Sequence, residues 1–291
     1  MIKKVSLIGL LFLVLSCKKE EQKSIVPAFL HIDEMSVNAV FNTQGTESQK
    51  ITTVLVYIND DNIPLGAYEL PIDFPIAASG PTKIRVEPGM NLNGSKAYRT
   101  LYPFYSAYEE TIDLIPEQTH YLRANADSIP VCTYTAYNDL FVIDDFENAG
   151  LGLESSPTSD TAIFKVGLSG GAFQFKNEPT TSGKIVLKPS AAYEGLSVEE
   201  FTYQPYRDFY VELDYKADVA FQVGVSMDTG NEIIKAPVVG INPSSEWNKI
   251  YINLITELGG TVPQTYQVMI RGLNTSSSNK EILIDNLKLV Y

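Results

Sequence analysis

Histidine and cysteine are scarce in this chain: two of each in 291 residues, with a single tryptophan. His31 and His120 lie far apart in sequence, with no metal-ligand spacing around them. A zinc site or an imidazole-activated nucleophile is therefore not supported. Basic residues are also short, 22 Lys and Arg against 35 Asp and Glu. The resulting net charge of −13 gives no electrostatic footing on nucleic acid and repels an anionic membrane surface. Few windows place apolar residues at i, i+3, i+4 and i+7, so little helix is expected. Neither a Gly-x-Ser-x-Gly elbow nor a phosphate-cradling glycine loop occurs.

What the chain does hold begins at its N-terminus. Lys3 and Lys4 precede an apolar run over 5–16, and Cys17 follows Ser16. That is the layout of a secretory signal peptide (1–16). The run is too short for a bilayer core, which needs about 20 residues. Val14-Leu15-Ser16-Cys17 resembles the lipobox of bacterial lipoproteins, with Val14 where that family most often has leucine. The resemblance implies cleavage before Cys17 and acylation of that cysteine, and several acyl chains on one residue give stable anchoring. Lys18-Lys19-Glu20-Glu21 is similar to the export signal of Bacteroidota-type surface lipoproteins. It implies an outer-membrane lipoprotein facing the cell exterior, although a solvated charged tether would look the same.

Removal of 1–16 takes away two lysines and no acid, so the net charge moves from −13 to −15. The membrane is then met through the lipid anchor only. One thiol remains, Cys132, which makes no intramolecular disulfide and reads as a small buried hydrophobe.

Period-two alternation and recurrent turn dipeptides point to an all-β chain. Residues 17–26 read as a lipidated tether and 27–128 as a first domain. In that domain 51–58 and 63–70 form a hairpin about Asp60-Asp61-Asn62, 82–89 a further strand, and 109–116 with 119–124 a second hairpin. About seven strands in a hundred residues suit an immunoglobulin-like (Ig-like) or prealbumin-like β-sandwich. The aromatic cluster in 98–108 (Tyr98, Tyr102, Phe104, Tyr105, Tyr108) is either a partner-contact patch or core filling. Residues 129–140 read as a linker. Residues 141–291 form the second domain. FVIDDFENAG (141–150), SSEWNKIYINL (244–254) and EILIDNLKLVY (281–291) look like the opening, central and closing strands of galactose-binding-like jelly rolls, the fold of many carbohydrate-binding modules.

The strands of this second domain can be phased, because successive side chains face opposite sides. Phe209, Val211, Leu213 and Tyr215 share an apolar face, as do Phe221, Val223, Val225 and Met227, then Ile250, Ile252 and Leu254, then Tyr266, Val268 and Ile270. If these strands share one sheet, their opposite faces present Tyr210, Glu212, Gln222, Tyr251, Asn253, Gln267 and Arg271 together. Rings, amides, a carboxylate and a guanidinium are what a glycan needs, and the resemblance places such a site on the concave face. An ordinary solvated sheet face has the same pattern. Trp247 reads as a core residue rather than a sugar platform. In the closing strand Ile282 and Ile284 share one parity, and Leu287 and Leu289 the other. A bulge is therefore expected at Asp285-Asn286. The resemblance also implies a structural calcium between the first and last strands, with Asp145, Glu147 and Asp285 as part of its shell; edge carboxylates are the plainer reading.

Jelly-roll glucanases carry a Glu-x-Asp-x-x-Glu run. Glu212-Leu213-Asp214 opens that pattern, but Ala217 stands where the last acid belongs, so retaining hydrolysis is not supported. The expectation is a non-enzymatic glycan-binding lipoprotein. The alternative is a structural accessory docking onto an outer-membrane protein partner, within a transport or secretion complex.

Overall fold

A computed structural model describes residues 26–122, 129–136, 139–176 and 181–291. Residues 1–16, expected as a signal peptide, Cys17 and most of the expected tether lie outside the described residues. The architecture is all-β: two sandwiches, each with its own core.

In the first sandwich, Thr53–Ile58 pairs with Gly66–Glu69 and with Gly80–Asn91, which also pairs with Arg99–Leu101 and Tyr108–Leu114. The facing sheet is Ile72–Ile76, Ala28–Ile32 and Thr119–Tyr121. Alternate residues Val54 and Val56, Ile84 and Val86, and Leu30 and Ile32 meet between the sheets and exclude water. The 53–58/66–69 hairpin turns through Asn59 and Asp60, both at positive φ, which their short polar side chains tolerate. The second expected hairpin does not form. Tyr108–Leu114 joins the five-stranded sheet, whereas Thr119–Tyr121 pairs in parallel with Ala28–Ile32.

The second sandwich has two six-stranded sheets. One contains Ile163–Val166, Ser182–Leu187, Lys280–Val290, Tyr210–Ala217, Ser244–Asn253 and, beside the closing strand, Leu140–Asp144. The other contains Leu153–Ser155, Ala192–Ser197, Thr265–Leu273, Phe221–Asp228, Ile233–Ile241 and Phe201–Thr202. The apolar parities read from the sequence all point between these sheets. The closing strand bulges where expected: Glu212 faces Lys288 while Asp214 faces Asp285, and Asn286 adopts φ 47°.

The two sandwiches are joined by a third core. Val37, Met90, Tyr102, Phe104, Tyr105, Cys132 and Tyr134 pack on Tyr210, Tyr251 and Val290. The stretch expected as a linker contributes to it directly. Val131–Thr133 pairs with Ser36–Asn38, and Cys132 is fully buried with its thiol pushed up to about 12 by that burial. Tyr102 is the hub, with ring centroids 4.6 Å from Tyr105, 4.8 Å from Tyr251 and 5.4 Å from Tyr210. The first and third are edge-on and the second tilted; aromatic pairs of this kind contribute about 0.5–1.5 kcal/mol each beyond their buried area. Most of the 98–108 cluster is thus a contact patch whose partner is this chain's own jelly roll; Tyr98 alone is largely exposed.

Candidate functional site

The seven residues expected on one surface fall on opposite sides of the jelly roll. Tyr210 and Glu212 lie on Tyr210–Ala217, and Tyr251 and Asn253 on Ser244–Asn253, both in the first sheet. Gln222, Gln267 and Arg271 lie in the second. Alternation assigns a side chain to a face, but it does not say which of two sheets the strand joins.

The outer face of the first sheet is covered by the N-terminal sandwich. Glu212 is fully buried there. Its carboxylate accepts hydrogen bonds from Tyr102 Oη at 2.6 Å and Tyr134 Oη at 2.8 Å, and pairs with Lys249 Nζ at 2.9 Å. Burial disfavours its charge, but Lys249, Lys288 and these hydrogen bonds together hold it below the usual carboxylate range. Asp214 accepts from Ser48 Oγ at 2.7 Å, and burial keeps its carboxyl above the usual range. Lys288 donates to the Thr46 carbonyl at 3.2 Å and is lowered to about 8 by burial and by the neighbouring charge of Lys249. Tyr251 Oη accepts the Lys50 amide and meets Tyr105 Oη, while Asn253 donates to Tyr210 Oη. Tyr210, Glu212, Tyr251 and Asn253 therefore serve the interdomain contact and are not open to a polymer.

The second sheet keeps its outer face. Its register sets Glu194, Arg271 and Gln222 in one row across three strands, and Gln267 beside Ser226 in another. Arg271 donates from Nε at 2.7 Å and from Nη2 at 2.6 Å to Glu194 Oε2. Lys235 reaches the other oxygen of Glu194 at 2.5 Å. Burial opposes the Glu194 charge, but these two cations hold its carboxyl below the ordinary range. Lys235 lies three strands from Glu194, about 14 Å on a flat sheet. Their contact means that the sheet curls inward on this side. A trough of about 520 Å³ runs along it, lined by Thr158, Tyr193, Glu194, Phe221, Gln222 and Arg271. Leu273, more than half exposed, adds an apolar edge. Sequence reasoning missed Glu194 and Lys235; the facing of one acid by cations on other strands of its sheet was the signal, and it needs the strand order.

Calcium does not fit the residues proposed for it. Asp285 is 2% exposed and accepts from Ser182 Oγ and the Asn286 amide. Glu147 accepts the Thr181 amide, and Asp145 those of Glu147 and the Asn148 side chain. Each carboxylate already accepts hydrogen bonds from the protein, Asp285 and Glu147 from a neighbouring segment and Asp145 from its own loop. Among the described residues no group of three His, Cys, Asp or Glu side chains could hold a metal ion. Trp247 also departs from expectation. It lies on the outer side of its strand, half-buried, against Phe173 at 5.1 Å between centroids, and it donates to the Gly171 carbonyl.

No protein-family model matches this chain, and no curated protein matches it. Solved structures similar to it include the family 11 carbohydrate-binding module of the cellulosomal cellulase Lic26A-Cel5E of Clostridium thermocellum. That match has 14% identity and TM-score 0.38, over 52% of this chain and 94% of that one. A second is CBM29_1, a family 29 carbohydrate-binding module from Piromyces equi, at 13% identity and TM-score 0.37 over 53% and 91%. A third, described for the promiscuous specificity of carbohydrate-binding modules of the β-sandwich superfamily, is 14% identical with TM-score 0.40 over 91% and 98%.

Proposed function

We propose that this chain is a non-catalytic glycan-binding protein whose site is the inward-curled face of the second jelly-roll sheet. The observation that carries the reading is the row Glu194, Arg271, Gln222, left open in a trough while the opposite face is sealed by the other sandwich. A guanidinium fixed by a carboxylate donates at a set angle, and a glutamine amide both donates and accepts, so together they can grip vicinal hydroxyls. Leu273 offers apolar surface to the C–H side of a sugar ring. Catalysis is not proposed: Glu194 is bound by two cations, and Glu212 is sealed beneath the N-terminal sandwich. A glycan array probed with protein starting at Lys18 tests this. Binding that weakens about tenfold on Arg271→Ala or Gln222→Ala is expected, the scale of a lost charge-assisted hydrogen bond. A blank array with folded protein would count against it.

We also propose that Cys17 carries the lipid and that the protein is displayed on the outer membrane, facing the exterior. The lipobox-like residues 14–17 and the charged tetrad after them support this. Cys17→Ser should abolish incorporation of labelled palmitate, and labelling of intact cells by an antibody reports display. Docking onto an outer-membrane complex is the weaker reading, because Tyr102, Phe104 and Tyr105, the aromatics that suggested it, are buried against the jelly roll.

A further inference from the structure

The N-terminal sandwich does not cover the first jelly-roll sheet to its end. Beyond Glu212 a cleft of about 620 Å³ opens between the sandwiches. Trp247, Phe173 and Phe175 form one wall, Ser48, Gln49 and Lys50 the other, and Asp214 and Lys249 the inner end. Its size lies within the usual range for small-ligand sites, about 300–1,000 Å³.

The charges here are mostly answered from within. Lys249 pairs with Glu212, Glu47 with Lys176, and Lys50 with the Asn248 side-chain oxygen. Two buried polar atoms here have no hydrogen-bond partner, Asp214 Oδ2 and Lys249 Nζ; they stand 3.9 Å apart, and only Lys249 has a close ion pair besides, with Glu212 at 2.9 Å. An orphaned buried oxygen is costly to leave unpaired, so a group that satisfies it binds with that advantage. An anion would be repelled by Asp214, and a cation by Lys249, Lys50 and Lys176. A hydroxyl suits the place whether Asp214 is ionised or not, because it both donates and accepts. Indole and phenyl rings beside the polar end suit a ring with a C–H face.

From this geometry we infer that the interdomain cleft is a second binding site, taking one neutral hydroxylated ring, a single sugar residue or the end of a glycan chain. The ring rests against Trp247 and Phe175, and a hydroxyl reaches Asp214 Oδ2. The site is separate from the trough on the second sheet and does not depend on that reading.

Trp247 is the only tryptophan among 17 tyrosines, so emission excited at wavelengths that tryptophan alone absorbs reports on this cleft. The full chain lacking only residues 1–17 is titrated with glucose, galactose, mannose, N-acetylglucosamine, cellobiose and lactose, with calorimetry in parallel. At least one sugar should shift the emission saturably, with the midpoint moved about tenfold by Asp214→Asn. Phe175→Ala, on a partly exposed loop, should weaken the same shift and serves if Asp214→Asn does not fold. No saturable shift with any of the six sugars overturns the proposal and leaves the cleft to water. Heat without a fluorescence change also overturns it, and assigns the binding to the second sheet. A shift indifferent to both substitutions overturns it as well.

Discussion

Asp285 and Lys288 are three residues apart on the closing strand, both nearly closed to solvent, and burial drives their proton affinities in opposite senses. The Asp285 carboxyl is raised to about 8 by burial, against about 3.9 in an unfolded chain. Its contribution to stability is therefore complete below about pH 4 and is lost as pH rises through about 8. Lys288 is lowered to about 8, against about 10.4 unfolded. Its contribution is complete above that value and is lost as pH falls through about 8. Asp285→Asn keeps the shape and removes the titration. Urea unfolding should find the variant more stable than the parent at pH 8, by on the order of 2 kcal/mol, with the gap closing towards pH 4. A gap independent of pH would mean that Asp285 is not protonated in the folded protein. At this scale the sequence was a partial guide. Gln222, Gln267 and Arg271 lie on an outer face as read, because a strand's wet parity is legible. Glu212 was misplaced because a charged residue at a wet position and one sealed under a neighbouring domain look alike in a sequence.

Strand phase was the most legible property of the elements. Every apolar parity assigned to the jelly roll faces its core, because one wrong step would bury a whole row of polar groups. The bulge was legible for the same reason: Ile284 and Leu287 can both face inward only if the backbone takes an extra residue between them. Asn286 supplies it at φ 47° and accepts a hydrogen bond from Thr46 Oγ1. Asn286→Gly should unfold within about 1 kcal/mol of the parent, whereas Asn286→Val should lose about 1–3 kcal/mol, since a β-branched residue is strained at positive φ. Thermal unfolding of the two variants checks this; equal losses would show that the hydrogen bond to Thr46, and not the backbone, sets the requirement. Strand partners were less legible. Nothing local says that Thr119–Tyr121 pairs with Ala28–Ile32, about ninety positions away, or that Tyr210–Ala217 and Phe221–Asp228 enter different sheets across a short connection.

At the scale of the molecule, the two sandwiches act as cover and covered. The aromatic cluster of 98–108 and the stretch once expected as a linker close over one jelly-roll sheet, and that burial is what singles out the other sheet as the free face. Tyr102→Ala removes the hub ring and one donor to Glu212. It should cost about 3–5 kcal/mol and should split a single unfolding transition into two, followed by near-ultraviolet circular dichroism against urea. A single transition at an unchanged midpoint would show that the joint contributes little. The central claim, that glycan binds on the inward-curled second sheet, is tested most directly by hydrogen exchange with and without the tightest glycan from the array. Protection should rise at the edges and loops of Ala192–Ser197, Phe221–Asp228 and Thr265–Leu273, and should need about tenfold more glycan with Arg271→Ala. Protection confined to other strands, with these three unchanged, would contradict the account.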